Sequence, residues 1–141
     1  MDYRRVSGGR EYVARLAHGR DWRGQIEAFA DAEGIDAAFF VGLGAVQDAT
    51  LSFYDQDARA YESVTFEEPF EVTAAVGNVS HREERERFAH THVTLTRPDG
   101  SAIGGHLDAA TTFAGELYVR EFDAHLERAH DETTALDLWP L

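Results

Sequence analysis

The tripeptide Pro98-Asp99-Gly100, flanked on both sides by residues that alternate in polarity, constrains this chain more than any other feature. Proline presets the first turn residue, aspartate can accept from its own backbone, and glycine takes up the positive φ that a three-residue hairpin loop requires. The flanks then pair in one register. Arg97 faces Ser101, and counting outward sets His92 opposite His106 with Cβ atoms roughly 5 Å apart. His90 lies two residues along and so on the same face. Val93, Leu95, Ile103 and Leu107 take the alternate positions, as expected of a half-buried antiparallel sheet with its apolar side on a core. The histidines therefore point away from that core.

Three imidazoles converging from two adjacent strands make the protein half of a tetrahedral metal site with one position open. His90, His92 and His106 are accordingly the expected ligands of zinc or another divalent transition metal. His-x-His on a strand face is also a common solvated pattern, and spacing alone does not separate the two. Continuing the same parity into a following strand over residues 113–123 puts Thr94, Thr112 and Glu116 on the histidine face. Gly104 and Gly105 remove two side chains beside His106, where a backbone or a ligand can approach closely.

A chain of 141 residues is the size of one ordinary domain, taken here as residues 1–141. Acidic residues number 26 against 13 basic ones, every one of them arginine, for a formal charge of −13. With 43% hydrophobic residues, so acidic and lysine-free a composition predicts a folded protein adapted to concentrated salt, where self-repulsion is screened. Nucleic-acid binding starts from the wrong sign of charge. The cluster Arg82, Arg85 and Arg87 is interleaved with Glu83, Glu84 and Glu86 and reads as a solvated loop. Cysteine is absent, so histidine and carboxylate chemistry remain. The longest apolar run, residues 37–46, is too short to cross a bilayer, and a soluble cytoplasmic protein is expected.

Residues 11–17 read as a first strand. Asp21 is an N-cap, Trp22 anchors a helix with the apolar stripe Ile26, Phe29 and Ala30, and Gly34 closes it. Residues 37–46 read as a fully buried strand, followed by strands over 51–54, 61–66 and 70–79, the histidine hairpin, and 113–123. Residues 136–141 pack back on the body. His18, His81, His125 and His130 read as surface. The sum is an α+β domain, one main helix packed on a mixed, mainly antiparallel sheet of seven or eight strands.

In this order, Gly19-Arg-Asp-Trp22, Phe40-Val-Gly-Leu-Gly-Ala45, Phe70-Glu-Val72, Gly77-Asn-Val-Ser80, His90-Thr-His92, Asp99-Gly100, Gly104-Gly-His-Leu107 and Glu116 resemble the PPC domain. This plants-and-prokaryotes-conserved family is often labelled as candidate DNA-binding proteins. The resemblance is nearly full-length and implies a homotrimer with a metal, zinc first, on His90, His92 and His106. Plant relatives carry AT-hook segments that reach into the minor groove. This sequence has none, so the DNA-binding label is expected not to carry over.

Two readings follow. One is a trimeric metal-dependent module that acts on or senses a small molecule, with Glu116 as the catalytic proton shuttle and Asn78, Gly104 and Gly105 as ligand-binding candidates. The other is a regulatory or scaffold domain serving proteins or DNA without catalysis, its histidines structural.

Overall fold

The computed structural model describes residues 1–82 and 86–141. Strand β1 (Ser7–Leu16) leads into helix α1 (Trp22–Glu33), followed by β2 (Ala38–Val46), β3 (Ala49–Asp55), β4 (Ala60–Phe66) and β5 (Phe70–His81). The hairpin of β6 (Arg87–Thr96) and β7 (Ala102–Ala109) comes next, then β8 (Thr112–Asp123) and a small hairpin, β9 (Ala129–Asp131) with β10 (Leu136–Leu138). Eight strands form one sheet in the order β1-β8-β2-β5-β6-β7-β3-β4, every neighbouring pair antiparallel. The α+β expectation is met, and the short C-terminal hairpin is the element that apolar periodicity did not resolve.

The helix forms where its caps say it should. Asp21 accepts from the Gly24 N–H at 2.7 Å, and Gly34 ends the helix at φ 66°, with its own N–H turned back to the last carbonyls. Trp22, Ile26 and Ala30 are buried in one core with Phe40, Val79, Val93, Leu95, Leu107, Leu117 and Val119 from alternate strand positions.

Asp21 does more than cap. Its second oxygen accepts from Ala110 N–H at 3.0 Å, and Asp48 accepts from Thr111 N–H at 2.9 Å. These bonds build a corner at which the β2–β8 ladder hands over to the β3–β7 ladder. The corner corrects one expectation. β8 does not continue the sheet beyond β7; it lies between β1 and β2. A register shift at Val46↔Thr112 also reverses the parity there, so Thr112 is fully buried and Phe113 exposed.

β2 differs from its expectation as well. Phe40 is buried, but Phe39, Val41 and Leu43 stand exposed on the opposite face. Pairing registers align Val13, Tyr118, Val41 and Val76 in one cross-strand row that ends on His92 and His106. All four apolar members of that row are exposed. No helix among the described residues is long and apolar enough to cross a membrane.

Candidate metal centre

The turn sets the register as read from the sequence. Arg97 N–H donates to Ser101 O at 2.9 Å, Gly100 takes φ 82°, and His92 pairs with His106 across the β6–β7 ladder. Ring centroids of His90, His92 and His106 lie 5.0 to 5.5 Å apart, and one nitrogen from each falls within 4.8 Å of the others. His90 Nε2 and His92 Nε2 are 3.2 Å apart. That separation is close to the edge of a tetrahedron with zinc–nitrogen bonds of 2.0–2.1 Å, about 3.3 Å. It also suits an N–H···N bond between one protonated and one bare nitrogen. His106 has no such partner: its Nδ1 is buried without a hydrogen bond among the described residues.

Protonation favours ligation too. Burial, aided by the charge of Arg128, pushes the His90 imidazole down to about 3. Burial likewise lowers His106, against an opposing pull from Asp108. Neutral imidazole is the form that binds a metal. With a buried His106 nitrogen unpartnered among the described residues, a fitting spacing, and His90 and His106 both shifted toward the neutral form, the residues present suit a borderline cation.

A cavity of about 410 Å³ is lined by His90 and His106. Phe88, two residues before His90 and on its face, stacks on His90 and His106 at interplanar angles of 14° and 24°. Three guanidinium groups surround the same ring: Arg82 at 3.4 Å, Arg23 at 5.3 Å and Arg128 at 5.9 Å. Arg128 donates to Ser80 Oγ at 3.0 Å, the Asp137 carbonyl at 2.9 Å and Asn78 Oδ1 at 3.0 Å, and its Nη2 lies 3.3 Å from His90 Nδ1. Burial and the charge of Arg82 hold Arg128 below its ordinary value. Asp108 borders the cavity, accepting hydrogen bonds from Ser52 and Ser63.

The candidates named from the sequence fall into three groups. His90, His92, His106 and Asn78 are brought together, Asn78 pairing with His90 across β5 and β6. Gly104 and Gly105 are beside them, but a Cβ on Gly104 would sit 2.5 Å from Val93 O and one on Gly105 3.0 Å from Ser52 O, so neighbouring backbone fills that space. Glu116 shares the exposed face but lies on β8, three strand spacings from β6, roughly 14 Å.

Arginine chemistry in the cavity is what the sequence reading missed. Arg82 is exposed as expected but sets its guanidinium over Phe88, while Arg87 is half-buried, pairing with Asp31 at 2.8 Å and Asp36 at 3.1 Å. Arg85 lies outside the described residues. Parity could have found Phe88 and Asp108, each two residues from a histidine on the same strand. Nothing local marks Arg128. His81 is likewise not at the surface; it is buried, its Nε2 donating to Asp36 Oδ1 at 2.9 Å. Asp36, His81 and His125 form a second grouping that could hold a metal ion, but Arg87 already shares the Asp36 carboxylate.

Solved structures of known proteins share this fold. A metal-containing protein of Archaeoglobus fulgidus is 38% identical, with 99% of each chain covered and a TM-score of 0.93. A plant- and prokaryote-conserved (PPC) protein of Pyrococcus horikoshii is 28% identical over 100% of this chain and 98% of its own, again at 0.93. A candidate DNA-binding protein of Bacteroides thetaiotaomicron is 27% identical over 95% and 96%, at 0.85. No curated protein matches the chain significantly in sequence. The model of the Plants and Prokaryotes Conserved domain matches residues 3–123, from β1 to the end of β8, and the chain belongs to that family.

Proposed function

We propose that this protein is a homotrimeric metal-binding domain, with zinc as its metal, that takes a small molecule into the cavity beside His90, His92 and His106. The convergence of three imidazoles, with a His106 nitrogen buried and without a hydrogen bond among the described residues, carries the reading. A relative sharing 38% of its sequence is a metal-containing protein, which supports it. Bound there, zinc would supply a Lewis acid and bring the pKa of a water toward about 7. The chain's own residues enclose and orient: Phe88 walls the histidines, Asn78 accepts from Arg128 at 3.0 Å and so positions it beside His90, and Asp108 stands 3.8 Å from His106 Nε2. Glu116 is too distant to shuttle a proton within one chain, so any part it plays comes from a neighbouring copy. Turnover of a panel of esters, amides and phosphate esters by zinc-loaded and metal-free protein is the test. Metal-dependent turnover makes the module an enzyme; ligand binding without turnover makes it a sensor. Neither turnover nor binding rejects the reading.

The apolar row Val13, Tyr118, Val41 and Val76 supports the trimer, because side chains of this kind in a contiguous patch favour burial against another surface. Val41→Asp is expected to shift the assembly to monomers in light scattering while leaving metal content unchanged. A trimer that survives the substitution places the interface elsewhere.

The regulatory reading rests on relatives such as the candidate DNA-binding protein at 27% identity. With a formal charge of −13, duplex DNA at 0.2 M salt should bind no tighter than about 10⁻⁴ M, the weak end of non-specific binding. Fluorescence anisotropy decides this. Submicromolar, sequence-selective binding revives the regulatory role.

A further inference from the structure

The cavity carries the opposite charge to the rest of the molecule. Acidic residues outnumber basic ones 26 to 13 over the whole chain, yet Arg23, Arg82 and Arg128 border this one cavity against Asp108 and Asp137. Arg23 is paired with Glu27 at 3.3 Å. Arg82 and Arg128 have no carboxylate partner among the described residues. Two guanidiniums beside one aromatic ring repel each other, and among the described residues of so acidic a chain no carboxylate neutralises either. A metal on the three histidines would add further positive charge at the same place.

We propose, resting on the metal reading above, that Arg82 and Arg128 form an oxyanion subsite, so that the ligand of this cavity is a small carboxylate or phosphate anion.

The hydrogen bonds of Arg128 explain how the subsite opens. In the structure its Nη2 faces His90 Nδ1 at 3.3 Å, a contact in which the arginine donates and the imidazole accepts. When His90 ligates through Nε2, the neutral ring carries its proton on Nδ1 and can no longer accept. The Arg128 N–H then needs another acceptor, and an oxyanion beside the metal is one. Arg82 sits over Phe88, its Cζ 3.4 Å from the ring centroid, and its guanidinium makes no hydrogen bond among the described residues, so none of these occupies its donors. A planar guanidinium matches carboxylate and phosphate oxygens with paired bonds. The cavity, about 410 Å³, suits a small molecule rather than a polymer. Arg128 lies beyond residues 3–123 matched by the family model.

Isothermal titration calorimetry of the zinc-loaded full chain with malonate, methylphosphonate and uncharged malonamide tests the subsite. At least one of the anions is expected to bind and malonamide is not, and the tighter anion tells a carboxylate ligand from a phosphate one. R82Q and R128Q should each weaken that anion by about tenfold or more, with zinc content unchanged. R128Q also cuts bonds to Ser80, Asn78 and the Asp137 carbonyl, so R82Q, which cuts none, is the variant that keeps the fold. Unchanged affinity in R82Q, malonamide binding as tightly as malonate, or no binding of either anion overturns the proposal. Failure to take up zinc rejects the metal reading alone; anion binding by the metal-free chain, lost in R82Q, then still supports the subsite.

Discussion

The His90→Ala/His92→Ala/His106→Ala protein is expected to carry no stoichiometric divalent metal, where the parent chain carries about one zinc per chain. The three side chains present a nitrogen each within 4.8 Å of one another, and His106 Nδ1 has no other partner among the described residues, so alanine at these positions removes the groups that would hold the ion. His106→Ala alone should weaken zinc by about a hundredfold or more, since even residues that only support metal ligands cost 10–100-fold. Elemental analysis of tag-free protein after exhaustive purification measures it. Loading the parent with zinc at a hundred times Kd should also add about 2.7 kcal/mol of stability, an increment the triple variant lacks. Stoichiometric metal that persists in the triple variant moves the site, with Asp36, His81 and His125 next in line.

Trp22→Ala is expected to cost about 3–5 kcal/mol, a large share of the roughly 5–15 kcal/mol that holds a typical domain together. The indole is fully buried at the start of α1, against two strand glycines: an added Cβ on Gly115 would come within 2.8 Å of its ring and one on Gly42 within 3.4 Å. Those glycines let the helix approach β8 and β2, so removing the ring leaves a cavity that neither strand can fill. Trp22→Phe should cost clearly less. It keeps most of the contact and removes an indole N–H that is buried without a partner among the described residues. Urea unfolding followed by circular dichroism gives both values, and a Trp22→Ala cost below about 1 kcal/mol would mean that α1 is held by Ile26 and Ala30 instead.

Much of the candidate metal centre was legible in the sequence. His92 opposite His106, His90 beside them and the apolar residues on the other face all follow from one turn and a period of two. The helix was legible for a similar reason, because Asp21 and Gly34 are caps that act on their own nearest turns. What was not legible was who else would arrive. Arg128 reaches His90 from 38 positions away along the chain, and Glu116, which parity put on the histidine face, is carried three strands off.

The sequence by itself determined the hairpin, its register, the face on which its histidines stand and the helix with its ends, because turn chemistry, side-chain alternation and capping are interactions among near neighbours. Only the tertiary structure decided which strands flank the hairpin, that one face of β2 stays exposed, and that arginines close around Phe88. Those outcomes depend on a corner where Asp21 and Asp48 bind the backbone of Ala110 and Thr111, residues 89 and 63 positions away respectively. Pairing across such distances is set by the packing of the whole core, and no local pattern records it.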